Sequence, residues 1–272
     1  MAGVAHAEPG EGARFFSAVG LLLARSSLIL LLLASWEFFA RSGAVTMFVL
    51  PPLSAVLERI WTDAFGELFL NVGLTLYRAI VGFLIAAIGG IVLGMMIARN
   101  AVARWFFDPI ISVGFPMPKI AFLPIVILWL GVYDLSKISM VVFDAIFPVV
   151  TATIIGIRGV EKELIWSARN MGASDREVMW QVMLPAALPQ ILTGLQVALP
   201  IALIVAIVAE MAMGGYGLGG AMMTASRFAD SRGVFAALVG IAVVGYVLVK
   251  AMAILRRRLL VWHQEALDPT TA

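Results

Sequence analysis

The chain has 272 residues, 62% hydrophobic and 13% charged, with a mean hydropathy of +1.01 and a formal net charge of +2. That much apolar surface cannot be hidden from water in one soluble core, where charged residues usually make up about a quarter of the chain, so the composition excludes a soluble enzyme. A mildly basic chain with no basic stripe between aromatics does not read as a nucleic-acid binder, and the absence of cysteine excludes a disulfide framework, a thiolate nucleophile and a Cys-held metal.

What remains is an all-α integral membrane protein. In chain order it begins with a tail, 1–25, predicted to be cytoplasmic. Arg14 and Arg25 precede an apolar run, Leu28 to Ala34, that has the look of a secretory h-region. The run continues through Trp36, Phe38 and Phe39 with no small-x-small site, so it is read as a first transmembrane helix over 26–44, with Glu37 near its outer end. An outer-side connecting segment, 45–71, follows. Further windows of about 20 apolar residues, the length a helix needs to cross hydrocarbon, lie at 72–98, 107–131, 138–158, 190–212 and 235–255, and a tail, 256–272, closes the chain. The expectation is about six transmembrane helices.

Within these spans, Gly82, Ala86, Gly90 and Gly94 recur every fourth residue and lay a smooth stripe along the second span. Such a stripe predicts close helix packing, with a partner in the same chain favoured over one in another copy. Pro116, Pro118 and Pro124 in the third span and Pro200 in the fifth predict kinks, which serve either a pathway or packing alone. Lys and Arg are about twice as abundant in the segments that an inside N-terminus keeps cytoplasmic. Arg41, Arg59, Arg78, Lys137, Arg227 and Arg232 are assigned to the outer side. Both termini are therefore expected in the cytoplasm.

The polar stretch 159–189 reads as two short helices. Leu164, Ala168 and Met171 form an apolar stripe in the first, and Gly172 ends it as a left-handed residue. Ser174 followed by Glu177 has the form of a capping box opening the second, which Val178, Val182 and Leu184 make sticky on one side and Pro185 is expected to end. A hairpin of this kind suits a groove on another protein or a bed of lipid headgroups.

Here the residues carry a resemblance. In SARNMGASDREVMWQVMLPAALP, Ala168, Gly172, Val182, Leu184 and Pro185 match the spacing of the EAA loop of type 1 ABC-importer permeases: a Gly, nine residues, an aliphatic, one residue, then Leu-Pro. Trp166 and Ser167 stand where that pattern has Glu and its first Ala. LPPLSAVLERIW (50–61), LYRAIVGF (76–83), FPMPKIAFLPIVILWLGV (115–132) and VAEM (208–211) are similar to the branch importing nitrate, sulfonates, taurine, bicarbonate and thiamine precursors. The resemblance implies a MetI-like type 1 permease domain over 68–255 in the inner membrane. It also implies a homodimer of permease subunits, cytoplasmic ABC ATPase subunits on the hairpins, an extracytoplasmic solute-binding protein, and a small polar or anionic solute. No GxxxxGK[ST] phosphate loop occurs, so ATP hydrolysis is expected in a separate subunit, and no cofactor is expected.

Charges inside spans are costly, about 2.5–3.5 kcal/mol on insertion scales, unless paired or wet. Lys119, Asp144 and Glu210 qualify as pathway candidates. Lys119 and Asp144 come at comparable depths and would pair or line the pathway; snorkelling to the interface is the alternative for Lys119 and Glu210. Gly215, Gly217 and Gly220 satisfy GxGxxG but follow a span, with no strand before them, and read as a turn or re-entrant stretch. His6 and His263 lie in the tails. A secondary transporter would need ion-coupling carboxylates and usually inverted repeats, and an intramembrane enzyme a nucleophile and base or a metal set; neither pattern is present.

Overall fold

The computed structural model describes residues 27–63 and 66–261. Among these, every regular element is helical. In order they are α1 (27–41), α2 (Leu53–Asp63), α3 (Glu67–Arg99), α4 (Ala101–Gly114), a tight turn (Lys119–Phe122), α5 (Leu123–Leu130), α6 (Asp134–Arg158), α7 (Lys162–Asn170), α8 (Asp175–Glu177), a wide helical turn (Val178–Met183), α9 (Leu184–Met213), α10 (Leu218–Arg227) and α11 (Ser231–Leu259). Four helical stretches in the described residues are long and apolar enough to cross a membrane, or five if the bent pair α4 and α5 counts as one. The described part of the first expected span is about 22 Å long at 1.5 Å per residue, and its start, like the tails with His6 and His263, lies outside the described residues.

Helix α6 is the axis of the bundle, with α3 on one side and α9 on the other. A side chain on Gly82, Gly90 or Gly94 would run into Val141, Val149 or Thr153 of α6. The expected small-residue stripe therefore meets a helix of the same chain. On the other side Gly194 lies against Ala152 and Pro148, and Gly156 against Ala187. Ala79, Ala86, Ala145, Ala198, Ala202 and Ala206 complete this core, all buried. In a bilayer, where apolar side chains gain little by leaving lipid, such backbone closeness is the main source of helix association.

These contacts also fix direction. Along α3 and α6 the contacting residues rise together (82 with 141, 90 with 149, 94 with 153), so the two helices are parallel, whereas 156 with 187 and 152 with 194 make α9 antiparallel to α6. The chain must therefore travel the full depth of the bundle between Arg99 and Asp134. It does so through α4 and α5, which meet at a 96° bend around Pro116 and Pro118. The third expected span is thus one net crossing, though a broken one, and its prolines mark the break.

Two expectations need correction. Pro185 does not end the second hairpin helix: Val178–Met183 forms a π-helical turn, and Pro185 sits in the first turn of α9, where an absent N–H is tolerated, so the helix runs on from Asp175 to Met213. Nor are Arg78 and Lys137 loop charges, because both are buried, within α3 and α6.

Candidate functional site

Three polar features stand out in an otherwise apolar bundle. The first is at the end bearing Glu67, Asp134 and Met213, here called the far end, as opposed to the hairpin end. Glu210 is 0% exposed. Its carboxylate accepts hydrogen bonds from Thr75 Oγ1 at 2.9 and 3.0 Å, Arg78 Nη1 at 2.6 Å and the Gly219 N–H at 3.1 Å. Arg78 also donates to the Tyr216 carbonyl at 2.6 Å, and its Nε lies 2.8 Å from Asp134 Oδ1. Lys137 Nζ donates to the Gly214 carbonyl at 2.9 Å.

The segment 214–219, which joins α9 to α10, is thereby gripped on both kinds of backbone group. Cations from α3 and α6 take its carbonyls. Asn71 and Thr75 of α3 accept from the N–H groups of Gly217 (2.7 Å) and Leu218 (2.8 Å), and Glu210 from that of Gly219. These are the N–H groups a helix start leaves without partners. Gly217, at φ +124°, is required here, since any side chain would occupy the Glu210 carboxylate. The GxGxxG sequence is therefore a turn. A buried carboxylate so saturated is a strut, not a snorkelling side chain.

The second feature lies near mid-depth. Lys119 Nζ is 3.0 Å from Asp144 Oδ1, donates to the Phe115 carbonyl at 2.9 Å, and sits 4.7 Å from the centre of the Phe147 ring. Phe147 in turn fills the space that a side chain on Gly114 would need. The bend between α4 and α5 is thus fastened to α6 by an ion pair and an aromatic ring, bringing Lys119 and Asp144 together. Lys119 is buried and Asp144 is 23% exposed on its side chain.

The third feature is the hairpin. Gly172 has φ +89°, a conformation for which glycine is suited. Ser174 Oγ accepts from the Glu177 N–H, while Glu177 Oε2 accepts from the Ser174 N–H at 2.8 Å, so both halves of the capping box are made. The Ser174 hydroxyl, and then its backbone N–H, hold the Glu177 carboxyl below the usual carboxylate range. Ala168 and Val178 are buried, with Val182 and Leu184 partly covered. Leu164, Trp166, Met171 and Trp180 are left outside, Met171 at 80% exposure. Two of the three residues of the expected apolar stripe, Leu164 and Met171, therefore face away from this chain.

The sequence profile described as "Binding-protein-dependent transport system inner membrane component" matches residues 90–261, from mid-α3 through the broken span and the hairpin to the end of α11, and so takes in Glu210 but not Asn71, Thr75 and Arg78 of the strut. The chain belongs to this family. It is an ABC transporter permease, and its relatives are of the same kind. It is 32% identical over 240 residues to the taurine transport system permease protein TauC of Escherichia coli (strain K12), covering 86% of this chain and 87% of that protein. It is 34% identical over 233 residues to the putative aliphatic sulfonates transport permease protein SsuC of Bacillus subtilis (strain 168), with 85% and 84% covered. The nitrate import permease protein NrtB of Leptolyngbya laminosa is 30% identical over 181 residues, 66% of this chain and 65% of that protein. Among solved structures, the inward-facing methionine ABC transporter MetNI in its CY5 native crystal form superposes with a TM-score of 0.60 over 74% of this permease and 98% of that chain, at 18% identity. That likeness concerns the fold.

The permease's candidate residues are thus distributed over two ends and a middle. Ala168, Gly172, Ser174, Glu177, Val182, Leu184 and Pro185 follow one another through the hairpin and into α9; Lys119 and Asp144 pair at mid-depth; Glu210 stands apart at the far end. Asn71, Thr75, Arg78, Asp134 and Lys137 were not singled out from sequence as site residues. One signal was available for Arg78, a guanidinium inside the apolar window 72–98, where an unpaired charge is costly. Among the described residues no group of three or more His, Cys, Asp or Glu side chains is placed to hold a metal.

Proposed function

We propose that this permease forms one half of the translocation pathway of an ABC importer. Two copies pair in the membrane, an ATPase subunit docks on each hairpin from the cytoplasm, and an extracytoplasmic binding protein delivers a small polar or anionic solute. Sulfonates, taurine and nitrate are the leading solute classes, because the relatives' names specify those substrates. The permease itself performs no covalent chemistry; hydrolysis of ATP belongs to the partner subunit. The hairpin end is cytoplasmic, as are both termini. With Arg78 and Lys137 buried in helices, fewer basic residues remain for the outer side, which strengthens the positive-inside bias.

The observation that carries this reading is the hairpin: a rigid, locally capped elbow whose large apolar side chains, Trp166, Met171 and Trp180, are turned away from its own bundle. Because the helix that begins at Asp175 continues without a break into α9, a push on the elbow moves a membrane-spanning rod as one body. Lys119 and Asp144, at the bend of the broken span, lie where such a movement would open or close the pathway. Glu210 serves as the far-end anchor against which the rod moves.

The test is copurification and uptake. The wild-type permease is expected to bring down its ATPase and to support nucleotide-dependent uptake in proteoliposomes, and Met171→Cys, in a chain that has no other cysteine, is expected to react with an impermeant thiol reagent from the cytoplasmic side alone. Uptake without any ATPase, or labelling from outside the cell, overturns the proposal.

A further inference from the structure

A cavity of about 440 Å³ opens at the far end between α2, α3, α10 and α11. Its wall carries Asp63, Glu67 and Asp230 against a single arginine, Arg59, which already bridges Asp63 at 3.0 Å and Asp230 at 3.7 Å. The balance is acidic, and Glu67 has no ion-pair partner among the described residues. At the bottom sits Asn71, whose side-chain Oδ1 is taken by the Gly217 N–H, which fixes the amide orientation. Its NH2 makes no hydrogen bond to the described residues and opens onto the cavity, although the residue as a whole is only 6% exposed. A donor that opens from a largely buried side chain into a cavity can exchange water for an acceptor on an occupant. Phe228, 81% exposed, stands at the mouth.

Acidic walls, an amide donor open to the cavity and an exposed aromatic at the mouth ask for an occupant with a cationic group and a nearby hydrogen-bond acceptor. A metal ion does not fit, since the carboxylates are not grouped as metal ligands. A protein loop does: a Lys or Arg side chain meets the carboxylates, a backbone carbonyl of the same loop meets Asn71, and Phe228 supplies the kind of aromatic contact that anchors protein interfaces. We propose that this cavity receives a basic side chain from the solute-binding protein, and so forms the permease's share of the outer docking site. The inference rests on the sidedness and partners of the proposed function.

The experiment uses the permease with its ATPase in proteoliposomes, reading ATPase rate against the concentration of binding protein. Asp230→Asn keeps the oxygen that caps Gly233 of α11 while removing the charge, and Glu67→Gln removes the other. The double variant is expected to raise the half-saturating concentration of binding protein about tenfold at low salt, two exposed pairs being worth roughly that together. The difference should shrink as salt is added, while the rate at saturation is retained. In Glu67→Lys, exchanging one basic residue on the binding protein for Glu should recover the affinity. An unchanged half-saturation, with stimulation intact, overturns the docking site and leaves the proposed function standing; absence of any ATPase in the preparation overturns the latter. Saturable binding of an amino-sulfonate to the permease without its binding protein, lost in the double variant, would overturn the docking site in favour of a small-molecule one. If the double variant fails to assemble, Asp230→Asn alone carries the measurement.

Discussion

The far-end strut and the hairpin are both polar, yet they are held by opposite kinds of contact. In the strut, Asn71 reaches Gly217, and Arg78 reaches Glu210, across 146 and 132 residues of sequence, and the carboxylate is sealed from solvent. In the hairpin, Ser174 with Glu177 and Arg169 with Asp175 are three and six residues apart, and all four are exposed. One region ties four helices together; the other ties a short segment to itself and leaves its apolar side chains for another molecule. The movement proposed above, of a rod against a far-end anchor, needs both, and the difference implies that damage to the strut should show first in stability and damage to the hairpin first in coupling.

The largest effect is expected at Arg78. Arg78→Leu leaves Glu210 buried with its strongest partner gone, and removing one member of a buried pair usually costs about 3–5 kcal/mol. Thermal unfolding of the purified permease in detergent should show a large drop. Pairing Arg78→Leu with Glu210→Gln, which removes the stranded charge, should return part of the loss. If the single variant unfolds as the wild type does, the strut is not what holds the far end.

Next comes the mid-depth pair, which has features of both regions. Lys119→Met removes a charged hydrogen-bonding partner from Asp144, an interaction of about 1.5–3 kcal/mol, less than at Arg78 because Asp144 is partly open. Uptake should fall in Lys119→Asp and in Asp144→Lys, and recover when both reversals are combined. Failure of the double reversal to restore uptake would detach the pair from the pathway.

Gly172 should separate stability from coupling. A side chain there meets no atom within 4 Å, so the only penalty of Gly172→Val is backbone strain at φ +89°, about 1–2 kcal/mol. Global unfolding should barely move, while ATPase association and uptake decline together. Full uptake by a well-expressed Gly172→Val permease would make the elbow's angle irrelevant to coupling.

The same contrast explains what could be read from the residues alone. Gly172 and the Ser174–Glu177 box are signals of near neighbours, and a linear pattern contains near neighbours. The Gly82–Gly94 stripe was legible as a packing face because its partner needs only to be a helix. The continuation through Pro185 was not, since a π-helical turn has no composition of its own. Arg78 and Lys137 were assigned to loops because a charge at the edge of an apolar window looks the same whether it meets headgroups or a carboxylate 132 residues away. Arg78 could have been treated as Lys119, Asp144 and Glu210 were; only the fold brings Glu210, Thr75 and Asp134 around it.

The smallest and most local effect belongs to the capping box. The Ser174 hydroxyl and N–H favour the ionised form of Glu177, so its carboxyl titrates below the usual range in the folded hairpin. A carboxyl with a depressed pKa contributes stability that is fully present above its unfolded value and is lost as pH falls through its folded value. The elbow should accordingly be insensitive to pH around neutrality and loosen only in acid. Ser174→Ala removes the first cause of that depression and one N-terminal cap, and should bring the Glu177 titration, followed by carboxyl NMR shifts, back toward the ordinary range. Because the contact is exposed and spans three residues, melting of the bundle should remain at the wild-type temperature. A Glu177 titration untouched by Ser174→Ala would mean the box is not formed in solution, and a lowered melting temperature would mean that the hairpin and the bundle are less separate than their contacts make them.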